Sequence, residues 1–265
     1  MQRVLNSTGE VCVFGEPHFM IDDLMALKRS TESFSAKSRE EVRFDEFKKS
    51  CRENSFDQWI PNAFRNPFFV SVFIDLFLFI LLRPLGKRKR SGFKEIRIKS
   101  MLTLEMLEKT FPESYFIFLF RNPEDQLVSI LSYHKRSINE ECNVIKPSPE
   151  TFSAEYLKYT EIFLRYSEGK ANCFHVFDGD ILDTSFLNNL LKALAIESGF
   201  DEALLRNRVR GLSDPPKEPL SEADHRILKE HGLDACFSRL MNRAKKDCLR
   251  LGNHSDANSE VHVKR

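Results

Sequence analysis

Six consecutive apolar residues, Tyr115 to Phe120 in "YFIFLF", stop abruptly at Arg121, and Asn122-Pro123-Glu124-Asp125 follow before a helical pattern begins. An unbroken apolar run with polar punctuation at each end predicts a strand covered on both faces, the kind found in parallel sheets. Asn122 suits a helix N-cap, Pro123 suits the first helical position, and Glu124 and Asp125 complement the positive helix end. The segment therefore reads as a buried strand passing directly into a helix, with an arginine at the junction.

The same alternation recurs along the chain. "MQRVLNS" reads as the end of a helix, "VCVF" (Val11 to Phe14) as a short buried strand, and Met20 to Arg29 as a helix. "GFKEIRI" (Gly92 to Ile98) alternates like a strand that carries Lys94, and "SMLTLEMLEKTF" has helical spacing up to Pro112. "CFHVF" (Cys173 to Phe177) predicts another buried strand and "SFLNNLLKALAI" an amphipathic helix. Strands alternating with helices predict an α/β fold, a parallel sheet flanked by helices, with ligands outside the carboxyl ends of the strands. Residues 1–251 read as one domain with a variable helical insertion over about 31–91, and 252–265 as a disordered tail.

With 265 residues, 42% of them hydrophobic, the chain can bury a sizeable core. A formal charge of +1 argues against a general polyanion binder, so nucleic acid is not an expected partner. The six cysteines lie far apart with no CxxC, which gives neither a zinc pattern nor a disulfide framework, and no metal site is expected. The cysteines leave the redox compartment undecided; no secretory leader opens the chain, and the two Asn-x-Ser/Thr sequons, at Asn6 and Asn253, are no more than a chain of this length shows by chance.

The segment "FFVSVFIDLFLFILL", Phe68 to Leu82, is shorter than the roughly 20 residues that span a bilayer, and Asp75 at its centre adds about 2.5–3.5 kcal/mol to insertion. It predicts a buried or interfacial helix. The basic run Lys87 to Arg90 adds a peripheral membrane contact through residues 68–90 to the expectations. His225, Glu230 and His231 lack the order of a zinc-protease motif, and the basic residues from Arg239 to Arg250 read as a solvated helix face.

Arg121 is the residue that secondary structure alone leaves unexplained. Its guanidinium suits bidentate binding of a phosphate or carboxylate ligand, with Ser129 two turns into the helix; a salt bridge to a neighbouring carboxylate is the alternative.

The pattern Arg-x-Pro-(x)5-Ser after a buried strand resembles the 3′-phosphate-binding element of sulfotransferases that use 3′-phosphoadenosine-5′-phosphosulfate (PAPS). "VLNSTGEVCVFGEP" and "GFKEIRIKSMLTLEMLEKTFPES" resemble two further blocks of that family, in its order and closest to the protein-tyrosine and carbohydrate enzymes. The likeness covers roughly 2–30 and 92–195. It implies a P-loop NTPase-like sulfotransferase fold and transfer of a sulfuryl group from PAPS to a hydroxyl of a carbohydrate or a protein tyrosine, without a metal. Arg121 and Ser129 would bind the 3′-phosphate, Glu16 would be the catalytic base, and Lys94 would stabilise the sulfonate and the leaving phosphate oxygen. The family's first strand and its Pro-Arg-Ser-Gly-Thr-Thr-like 5′-phosphosulfate loop have no counterpart here, nor does a GxxxxGK[ST] motif. That departure leaves a non-catalytic, N-terminally truncated binding protein as the alternative. Localisation follows the same fork, the Golgi lumen given an upstream anchor and the cytoplasm without one. Arg208, Arg210 and Lys217 are further candidates for closing over the nucleotide.

Overall fold

Aromatic and β-branched residues fit a pleated, half-buried surface, and two parallel strands are built largely from them. Strand β3 (Phe116–Phe120) and strand β4 (Cys173–Phe177) pair in parallel, with Phe116 opposite Cys173 and Phe120 opposite Phe177. The computed structural model describes residues 1–15, 20–38, 67–81, 88–94, 98, 100–137, 148–206 and 219–259. Over these residues the chain is α/β, with small two-stranded sheets flanked by helices. It divides into two compact units, one of residues 1–12 with 113–265, the other of 13–112.

In the first unit, helix α1 (Gln2–Ser7) leads to strand β1 (Val11–Phe14), which crosses the boundary between units. Among the described residues, β3, β4 and six α-helices complete this unit. The helices are α5 (Pro123–Ser137), α6 (Pro149–Tyr166), α7 (Thr184–Ala193), α8 (Ala203–Arg206), α9 (Glu222–Glu230) and α10 (Leu233–Ser259). Local chemistry sets several helix starts. Ser148 caps α6 by accepting from Thr151 N–H, Asp183 caps α7 by accepting from Ser185 and Phe186 N–H, and Ser221 with Asp224 forms a capping box on α9. Helix α10 packs against β4, α6 and α7.

The Phe-rich composition finds its use here. Phe118 stacks on Phe163 with ring centroids 4.6 Å apart, Phe116 meets Tyr166 edge-on at 5.1 Å, and Phe120, Phe177 and Phe237 form a triangle with sides of 5.8–6.1 Å. Each such pair adds about 0.5–1.5 kcal/mol beyond its buried area. β4 is covered on both faces through Val176, but β3 departs from that expectation: Phe118 and Phe120 face the core while Leu119, between them, is 42% exposed.

In the second unit, helix α2 (Met20–Ser38) packs against α3 (Pro67–Leu81) and α4 (Met101–Thr110), with Ile21, Met25, Ile74, Leu78 and Leu104 buried. The buried Lys28 donates to Asp75 of α3 and, at 2.9 Å, to Thr110 of α4, so the acidic residue in the middle of the apolar helix has an internal partner. Thr103 of α4 donates to Asp22 of α2. Strand β2 (Arg90–Phe93) pairs with β1.

Several boundaries differ from the sequence reading. α2 runs to Ser38 rather than Arg29, the strand expected over 92–98 lies at Arg90–Phe93, and α10 continues to Ser259, past the expected start of the tail. Residues 39–66 and 82–87 of the expected insertion lie outside the described residues. Among the described residues, no helix is long and apolar enough to cross a membrane.

Candidate functional site

The carboxyl ends of β3 and β4 bring two charged residues side by side. Because Phe120 and Phe177 are register partners, the next residues, Arg121 and Asp178, leave the sheet together. Arg121 Nε and Nη2 both donate to Asp178 Oδ2, at 3.0 and 2.6 Å, in a half-buried pair. Two donors on one oxygen use only part of a fork of five N–H groups. The backbone at this junction is held as well. Asp178 N–H donates to Phe120 O at 2.9 Å, and Tyr156 Oη donates to Arg121 O at 3.0 Å. Burial holds the Tyr156 hydroxyl well above the ordinary phenol range, so it is a permanent donor.

Helix α5 begins directly after Arg121, with Asn122 Oδ1 accepting from Glu124 N–H at 2.9 Å and Pro123 buried in the first turn. Ser129 follows on the same helix and is half-buried. On the rim, His225 Nδ1 lies 3.0 Å from Glu124 Oε1. Past β4, Asp178 is followed by Asp180 and Asp183; burial is the main influence raising the Asp180 carboxyl, with Asp183 adding to it and a backbone hydrogen bond at Phe177 opposing it. The strand end thus offers one cation already engaged by a local carboxylate, with Ser129 about two turns along the helix that follows.

Lys94 belongs to the second unit; it lies just past the end of β2, not within a strand, and is exposed, with its N–H donating to Phe14 O at 3.1 Å. Glu16 lies outside the described residues, as do Arg208, Arg210 and Lys217. Among the described residues, no group of three or more His, Cys, Asp or Glu side chains is placed to hold a metal ion.

A second polar cluster escaped the sequence reading. Asp247 of α10 accepts from the backbone N–H and from Nδ1 of His175 on β4, both at 2.9 Å, and Ser167 Oγ lies 3.3 Å from His175 Nε2. Its connectivity is that of a serine, histidine and aspartate relay, but all three residues are buried, so no substrate reaches it. Arg243 and Arg250, expected on a solvated face, turn inward: their guanidinium groups donate to the carbonyls of Ser167, Lys170 and Cys173. The cluster fastens α10 to β4 and to the turn after α6.

Comparisons with protein-family models, with curated proteins and with solved structures found no significant match. The functional reading therefore rests on the residues themselves.

Proposed function

We propose that this chain is a sulfotransferase of the PAPS-dependent kind, acting on a hydroxyl of a carbohydrate or a protein tyrosine. The observation that carries the reading is Arg121 at the carboxyl end of a parallel strand pair, directly before the N-terminus of α5 and two turns ahead of Ser129. Strand ends of α/β sheets are where such folds take ligands, and a helix N-terminus favours an anion. The guanidinium N–H groups left over by Asp178 and the Ser129 hydroxyl are donors of the kind that suits a phosphate monoester. On this reading the fold is of the P-loop NTPase-like sulfotransferase kind.

In the reaction, Glu16 takes the proton from the acceptor hydroxyl as its oxygen attacks sulfur. The new O–S bond forms in line with the breaking bond between sulfur and the 5′-phosphate oxygen, and the sulfuryl group leaves the nucleotide, which departs as 3′-phosphoadenosine 5′-phosphate. Lys94 offsets negative charge on the sulfonate and on the leaving oxygen.

The Arg121–Asp178 ion pair favours a second reading, a sulfotransferase-like binding protein that transfers nothing, because the main cation is already partly neutralised. Titration calorimetry of the full chain with 3′-phosphoadenosine 5′-phosphate, beside a transfer assay with labelled PAPS, separates the two. Arg121→Ala is expected to weaken binding by about 1.5–3 kcal/mol, or roughly 10–150-fold. Binding without transfer supports the second reading. Absence of binding by the native chain overturns both.

A further inference from the structure

From the exposed side of α3, we infer that this helix docks the protein on an anionic lipid surface, lying along it rather than crossing it. Of the 15 residues of α3 only Ser71 and Asp75 are polar, and both lie on the side that meets α2, alongside the buried Ile74 and Leu78. The opposite side carries Val72, Phe73, Leu76, Phe77, Phe79 and Ile80 with no polar side chain among them; Phe73, Phe79 and Ile80 are each more than 60% exposed. A helix that is apolar all round requires cover on every side, and among the described residues this one is packed on one side only. Its patch is continuous, unlike the scattered apolar residues normal on a soluble surface.

The chemistry of the occupant follows from the sequence that continues beyond the patch. Between Asp75 and Glu95 the chain carries Arg83, Lys87, Arg88, Lys89, Arg90 and Lys94 and no acidic residue. Lys89 is exposed within this run. An apolar helix face followed at once by an acid-free basic stretch complements acyl chains below a layer of negative headgroups. A protein partner fits less well, because the face offers none of the tryptophan, tyrosine or arginine anchors that dominate protein interfaces. Crossing is excluded by length: 15 residues at a rise of 1.5 Å give about 22 Å, against a hydrocarbon core of about 30 Å. The Lys28–Asp75 pair supports the surface orientation, since it ties the one acidic residue of the helix to the protein side. This inference is independent of the nucleotide site.

Sedimentation of the full chain with vesicles of phosphatidylcholine alone, or with one part phosphatidylserine to two parts phosphatidylcholine, tests it. Binding is expected to the anionic vesicles and to fall with added salt. Phe73→Glu with Phe79→Glu is expected to lower the partition coefficient about 100-fold or more. Arg88→Gln with Lys89→Gln is expected to lower it about 25-fold on anionic vesicles only, at about fivefold per cation. Equal binding to both vesicle types, or no effect of either double variant, overturns the proposal. So does a dimer, seen by analytical ultracentrifugation, that Phe73→Glu dissociates while no vesicle binding occurs. If the glutamate variants fail to fold, Phe79→Trp in a Trp59→Phe background reports directly: blue-shifted emission quenched by brominated anionic lipid supports docking, and unshifted emission overturns it.

Discussion

Replacing Asp247 by alanine removes one carboxylate, strands two buried donors of His175 and takes a counter-charge from two arginines. Its Oδ2 accepts the backbone N–H and the ring Nδ1 of His175, each at 2.9 Å, while its Oδ1 lies 3.6 Å from both Arg243 Nε and Arg250 Nη2. His175 is only 1% exposed, so neither of its donors can turn to water. Each buried donor left unpaired costs about 1–3 kcal/mol, and removing one partner of a buried ion pair costs about 3–5 kcal/mol in all. A loss of about 4 kcal/mol is therefore expected, a large share of the roughly 5–15 kcal/mol that holds a domain together. Asp247→Asn keeps one acceptor oxygen for His175 and should lose about half as much. Urea unfolding followed by circular dichroism measures it: with a slope of about 1–3 kcal/mol per molar urea, the alanine variant's midpoint should fall by more than about 1 M. The effect also has a pH signature. Burial alone would raise the Asp247 carboxyl, but the hydrogen bonds from His175 and the charge of Arg243 hold it below the ordinary carboxylate range. A group whose folded pKa is depressed stabilises above its unfolded value, near pH 4, and loses that contribution as pH falls through the folded value. The gap between the native chain and Asp247→Asn should hence close on acidification below about pH 4. An alanine variant within about 0.5 kcal/mol of the native chain at neutral pH would refute the clamp.

Two further expectations concern the nucleotide reading. Asp178→Asn removes a carboxylate that competes with a bound phosphate for Arg121; one like charge at a half-exposed site is worth about 1 kcal/mol, so calorimetry should find 3′-phosphoadenosine 5′-phosphate bound roughly fivefold tighter. Weaker binding by this variant would make Asp178 the support that aims the guanidinium. In a labelled-PAPS assay, Glu16→Gln should lower turnover by about 10²–10⁴ with nucleotide affinity unchanged, and Lys94→Ala should also slow transfer. Undiminished transfer by the Glu16 variant would place the base elsewhere.

Where local chemistry determined structure, the sequence could be read. The apolar runs at Val11, Phe116 and Cys173 are strands, and Ser100 before Met101 caps a helix by accepting from Thr103 N–H. Where the local pattern is weak or displaced, reading failed. The extra turns of α2 fall in "STESFSAKS", a stretch with no clear apolar period. Strand β2 is Arg-Ser-Gly-Phe, which has no β-branched residue, and pairs with β1 although the alternating pattern lies later, in "GFKEIRI". Strand propensity is a statement about neighbours, and neighbours are not in the local pattern.

The site separates along the same line. The turn after β3 was legible because Asn122, Pro123 and the acidic pair act within a few residues of each other. The partner of Arg121 lies 57 residues away, yet a signal for it existed. Both apolar runs end in phenylalanine followed by a charged residue of opposite sign, Phe120-Arg121 and Phe177-Asp178. Once the two strands are taken as parallel neighbours in equal register, their carboxyl ends must coincide and the ion pair follows. The clamp at Asp247 had no such signal, since it joins a strand to a helix 72 residues later through side chains in a run that reads as solvated. Sheet register propagates from one pairing to every position along a strand, whereas the rotation of a packed helix is fixed only by the contacts it makes. Charged residues that leave parallel strands together can therefore be paired from sequence, and those on a crossing helix only from structure.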